Sequence, residues 1–154
     1  VHDVRQVRQD VSEPVVTMPE SLYSIYVVVR EDLEPGRVAA QAAHAVAGLV
    51  NQAYSFDFGE DFETSVVCKG VEFGRMIVLG VPGLQELAAF GLPLLGHFMP
   101  YGQPFRMYSF AEPDLGYQLT ASAFLVHKSE EAFFSQLPLA FKPAPKRKWW
   151  QRGN

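Results

Sequence analysis

The sequence predicts an α/β protein: a sheet whose first strands run parallel, helices on both of its sides, and a hairpin at its end. Three observations predict it. Tyr26 to Val50 reads as a β-branched strand (Val27, Val28, Val29), a charged break from Arg30 to Glu34, and a long alanine-rich helix opened by Pro35 and Gly36. Arg75 to Val81 is a second continuous apolar run, closed by Pro82 and Gly83 and followed by leucines at helical spacing. Phe105 to Phe110 and Gln118 to His127 are then joined by the short link Glu112-Pro113-Asp114-Leu115-Gly116, a hairpin signal.

In chain order, residues Val1 to Glu20 are polar, mixed in charge and broken by Pro14 and Pro19, and are expected to form an arm outside the domain. Ser21 to Arg30 is the first strand, its apolar run suited to burial on both faces. The helix from Pro35 to Tyr54 carries Ala39, Ala40, Ala42, Ala43, Ala45 and Ala47, so it is slim and can lie close to a sheet. A shorter helix is expected over Gly59 to Lys69, with Asp61 and Glu63 near its positive end. After the strand Arg75 to Val81, a helix over Gly83 to Gly91 should end or kink at Pro93, leaving Leu94 to Pro104 irregular. Ser129 to Leu137 reads as a short amphipathic helix capped by Ser129, with Glu130 and Glu131 in its first turn. The domain is thus expected over 21–140, followed by a basic tail over 141–154. Right-handed crossovers would make the first strands parallel.

Composition narrows the class. The chain has 154 residues, 48% hydrophobic and 19% charged, which fits one globular domain. A net charge of −4 argues against coating nucleic acid with the whole surface but leaves room for a local basic patch. Cys68 is the only cysteine, so neither an intrachain disulfide nor a multi-cysteine metal site can form, and a reducing, cytoplasmic setting is expected. No apolar run reaches the roughly 18 to 20 residues of a membrane span. The first residues, VHDVRQVRQDVSEP, lack the apolar core of a secretory leader.

Three groups of residues carry candidate chemistry. Arg37, Gln41 and His44 are spaced by four and three, so a cation, an amide and an imidazole share one helical face beside the carboxyl end of a strand, where ligands of open α/β sheets gather. The same residues also read as a solvated arginine, a hydrogen-bond bridge and a packed core histidine. Glu112, Asp114 and Thr120 could orient a histidine or a water, or simply build a hairpin turn. In the tail, Lys146, Arg147, Lys148 and Arg152 interleave with Trp149 and Trp150, a pattern that suits phosphates and bases, and equally a plain terminus or a peptide read by a partner protein. His2, His44, His97 and His127 lack metal-ligand spacing, and there is no glycine-rich phosphate loop. No cofactor is expected.

Val29-Arg30-Glu31-Asp32-Leu33 followed by Gly36-Arg37-Val38-Ala39-Ala40-Gln41-Ala42-Ala43-His44-Ala45 resembles the first motif of the type II peptidyl-tRNA hydrolases. SFAEPDLGYQLTASAF, from Ser109 to Phe124, looks like the second motif of that family, in a Glu-Pro-Asp variant. The likeness covers Leu22 to Val126. It implies a three-layer α/β/α sandwich with a four-stranded mixed sheet, the last strand antiparallel to the others. It also implies metal-free hydrolysis of the ester between a peptide and the terminal ribose of tRNA, which recycles tRNA from stalled translation. Carried over by position, His44, Asp114, Arg37 and Gln41 would be catalytic, and Thr120, Glu112 and Arg30 would bind substrate. His44, held by Asp114 or Gln41, would activate water while Arg37 neutralises an oxyanion or a phosphate. Arg37 stands where the family has lysine, which keeps the charge but not the ability to lose a proton. Members of the family often pair, so a homodimer is a further expectation.

Two other functions compete with this one. The first is a catalytically altered member that binds RNA or protein through its basic tail over 142–152. The second is an esterase acting on another small acyl ester.

Overall fold

A computed structural model describes residues 22–55, 75–98 and 106–141. The arm, the expected helix over Gly59–Lys69, Cys68 and the basic tail beyond Phe141 lie outside the described residues. Four strands form one mixed sheet: β1 (Tyr23–Arg30), β2 (Met76–Val81), β3 (Met107–Glu112) and β4 (Gln118–His127), in the order β2-β1-β4-β3. β1 and β2 run parallel, with Val27 beside Val78, while β4 is antiparallel to both β1 and β3. The three-layer sandwich with an antiparallel last strand is therefore the observed architecture.

β1 is central, and its alternation divides the core. Ile25, Val27 and Val29 point to one face, where α1 (Pro35–Ser55) presents Val38, Ala42, Ala45, Leu49 and Ala53 at spacings of four, three, four and four. Tyr26 and Val28 point to the other face, covered by α2 (Leu84–Phe98) through Leu87 and Phe98 and by Phe134. Both faces of β1 are buried, as its unbroken apolar run predicts. Beyond β2, Gly80 N–H donates to Pro138 O (2.9 Å) and Ala140 N–H to Val78 O (3.0 Å), so the segment around Leu139 closes that edge of the sheet.

Three expectations are corrected. α2 does not stop near Pro93 but runs through it to Phe98, so 94–98 is helical rather than irregular. An interior proline costs about 3 kcal/mol. The extension delivers Phe98, fully buried, against Phe124 (5.3 Å between centroids) and Phe134 (5.9 Å), a gain of comparable size, about 1.5–3 kcal/mol for burial and about 0.5–1.5 for each aromatic pair. β3 continues to Glu112, two residues past the expected end. The last helical segment is a 3₁₀ helix, Lys128–Phe134, capped by His127 rather than Ser129. His127 Nδ1 accepts from Ser129 N–H (3.2 Å) and Glu130 Oε2 accepts from His127 N–H (2.8 Å), a reciprocal capping box.

Glu130 consequently points inward instead of lying on a solvated first turn. Its carboxylate takes Arg106 on one oxygen and His97 Nε2 on the other (2.8 Å), while the Arg106 guanidinium lies 5.1 Å over the Phe98 ring. This ties the end of α2, the approach to β3 and the 3₁₀ helix together. Burial alone would raise the Glu130 carboxyl, but hydrogen bonds from Arg106, the His127 backbone and His97 outweigh it and hold the group below its ordinary value. A carboxyl lowered in the folded state stabilises fully above its unfolded pKa and loses that stabilisation as pH falls through the folded value. Glu130→Gln is expected to lower Tm at neutral pH by about 4–10 °C. The gap to wild type should then narrow as pH falls from about 5 to about 3, which thermal melts across that range would check.

Candidate functional site

The site is built where α1 crosses β3. Four α1 positions meet four β3 positions in opposite order: Gln41 with Glu112, His44 with Phe110, Gly48 with Tyr108, and Gln52 with the Met107 carbonyl (3.3 Å). The spacings of three, four and four keep these α1 residues on one face, and the period of two on β3 keeps Tyr108, Phe110 and Glu112 together. Contact this close depends on Gly48, because a Cβ there would overlap the Tyr108 ring.

Gln41 is the buried centre of the arrangement. Its Nε2 donates to Glu112 Oε2, and its Oε1 accepts from Thr120 Oγ1 at 2.7 Å. The acceptor-only carboxylate of Glu112 fixes which end of the amide faces it. Thr120 is fully buried, and its single hydroxyl proton serves Gln41 rather than the more distant Phe110 carbonyl (3.3 Å). Thr120 reaches α1 because the β3–β4 register shifts at this point. Phe110 pairs with Ala121 and Ala111 with Leu119, so Thr120 is the extra residue of a bulge. Strict alternation would send Thr120 to the α2 side; the bulge sends both Thr120 and Ala121 to the α1 side.

His44 is exposed, and its ring stacks on Phe110 with centroids 4.9 Å apart and 16° between planes. Among the described residues neither Gln41 nor Asp114 hydrogen-bonds it, so stacking orients the imidazole and leaves its nitrogens open to a ligand or a water. Arg37 is exposed in the first turn of α1, and Asp114 is exposed in the 3₁₀ turn Pro113–Leu115; neither has a hydrogen bond or ion pair among the described residues. Of the two descriptions open at the outset, Gln41 meets the bridging one, Arg37 is solvated, and His44 is not a buried core histidine.

Arg30 is placed apart. By alternation it follows Tyr26 and Val28 to the α2 side of β1. Its guanidinium holds Asp32 in a two-pronged ion pair (2.9 and 2.7 Å) and donates to Gln118 Oε1 (3.1 Å) and the Leu119 carbonyl (3.3 Å). The hydrogen bonds from Arg30 hold the Asp32 carboxyl below the usual carboxylate range. Arg30 thus braces the ends of β1 and β4, and what it offers the site is the position of the hairpin. Gln118 and Phe110, both used here, were not among the expected site residues. Both lie inside the stretch that resembles the second motif, and Phe110 also alternates with Tyr108 along its strand, but neither signal singles them out.

The arrangement offers an exposed imidazole beside a buried amide paired at both ends, with an exposed cation, Arg37, on the same helix and an exposed carboxylate, Asp114, on the hairpin turn. Among the described residues no group of three His, Cys, Asp or Glu side chains could hold a metal ion, and no helix is long and apolar enough to cross a membrane. No protein-family model matches the chain, and no curated protein matches it.

Thr120→Val would strand the buried Gln41 carbonyl oxygen and is expected to cost about 1–3 kcal/mol in denaturant unfolding. Equal stability of Thr120→Val and wild type would show that the Thr120–Gln41 bond contributes nothing.

Proposed function

We propose that this protein hydrolyses the ester of peptidyl-tRNA, releasing the peptide and free tRNA, as a divergent relative of the type II peptidyl-tRNA hydrolases. The observation that carries the reading is the Thr120–Gln41–Glu112 chain of hydrogen bonds. It joins the two segments that resemble that family's motifs, although Glu112 and Thr120 lie 71 and 79 residues from Gln41 in sequence. Beside it stands His44, exposed and oriented by Phe110.

In this reading His44 takes a proton from a water whose oxygen adds to the ester carbonyl carbon. The negative charge that develops on the carbonyl oxygen is met by Arg37, whose guanidinium stays charged throughout. Collapse breaks the bond to the ribose oxygen, which leaves with the proton returned from the imidazolium, so the products are a carboxylic acid and a tRNA hydroxyl. Asp114, exposed on the hairpin turn, supplies a carboxylate that can pair with the imidazolium once substrate is bound. Gln41 positions rather than reacts, since both ends of its amide are already paired. Arg37 in place of lysine is compatible with this scheme, because the scheme asks that position for charge and not for proton transfer.

A single-turnover assay with a peptidyl-tRNA analogue tests the proposal. Wild type should release free tRNA, His44→Ala should slow release about 10²- to 10⁴-fold, and Arg37→Lys should stay within about tenfold of wild type while Arg37→Ala falls below it. An ester left intact by wild-type protein at high enzyme concentration would sink the reading.

A further inference from the structure

Tyr117 combines two properties that seldom occur together. At 76% exposure it is the most exposed large apolar side chain among the described residues. It is also the only non-glycine residue among them with a positive φ, 59°, directly after Gly116 at 65°. An aromatic residue in the left-handed region is strained, and strain of that kind persists only where the surroundings impose it.

Here they do impose it, from both sides of the hairpin. Tyr117 N–H donates to Glu112 O (2.9 Å), and Gly116 N–H donates to Pro113 O (3.0 Å). Glu112 is anchored to α1 through Gln41, and the next residue, Gln118, is anchored to β1 through Arg30. The loop therefore spends conformational freedom on holding a ring out in solvent, where packing gives nothing back. The same loop carries Asp114, and its two ends are the braces that build the site.

We infer that Tyr117 is a stacking platform for an unpaired nucleobase of the RNA substrate; this rests on the peptidyl-tRNA reading above. A base presents a flat π surface whatever its identity, and an aromatic face held in place accepts it without sequence selection. That suits a substrate class in which many tRNAs must be accepted. The phenolic hydroxyl stays in water, and only the ring is covered.

The test uses the full chain and a labelled RNA hairpin with a short single-stranded 3′ end, read by fluorescence anisotropy. Tyr117→Ala should weaken Kd roughly 5- to 150-fold, and Tyr117→Phe should keep wild-type affinity. In a series of RNAs with each unpaired base removed in turn, wild type and Tyr117→Ala should bind equally where the missing base is the stacked one. Tyr117→Gly should lose the same affinity with Tm unchanged or raised, because glycine adopts this φ without strain. Equal Kd for wild type and Tyr117→Ala on the intact RNA overturns the platform, and so does a large fall in Tm for Tyr117→Gly, which would make the residue structural. If wild type cleaves peptidyl-tRNA while Tyr117→Ala binds RNA as well as wild type, only the platform falls. If wild type neither binds the hairpin nor cleaves the ester, both readings fall.

Discussion

The amide of Gln41 is the interaction on which the rest of this face depends. A primary amide is polar at both ends, so burying it is unfavourable unless both ends find partners. Here the two partners come from different strands, Thr120 on β4 and Glu112 on β3. Satisfying one side chain therefore fixes the height of α1 over the hairpin, the register of β3 and the direction of Thr120. His44, one turn along the same helix, inherits its place over Phe110 from that arrangement.

The opposite face is organised by a charge instead. Arg30 reaches from the end of β1 to Asp32 and to the start of β4, and Glu130 gathers His97, Arg106 and its own cap at the other end of the sheet. Both are charged groups with most of their surface removed from water, and both are compensated by several hydrogen bonds, as burial of charge requires. The sheet is thus held at its two ends by polar clusters and in its middle by apolar packing.

Much of this was legible in the residues. The triple valine of β1, the alanine-rich α1 and the Glu-Pro-Asp link point to the parallel start and the closing hairpin, because each is a local signal of backbone shape. The path of α2 through Pro93 was not legible, since what offsets the proline is Phe98 meeting Phe124, and that contact is non-local. Ser129 was a fair cap by type, but Glu130 at the third position after His127 was the stronger signal, and it also explains why that carboxylate turns inward. At the site, the expected hold on His44 by Asp114 or Gln41 is not seen, while Gln41 bonds both Thr120 and Glu112. The way they meet could not be foreseen, because a bulge breaks the very alternation from which strand faces are read. The motif likeness groups Arg30 with the site, although the same alternation, counted from Val28, puts it on the other face.

The contact between Gly48 and Tyr108 has a consequence for how this sequence can drift. Alanine is the easy neighbour of glycine in a helix and is already the commonest residue of α1. At position 48 that one-methyl step is blocked by the ring across from it, not by anything in the helix itself. Divergent copies of this chain that exchange this glycine for a larger residue must either displace the Tyr108 ring or carry a smaller side chain at position 108. On the second route the two positions change as a pair, leaving a covariation signature of how close the helix lies to the edge strand.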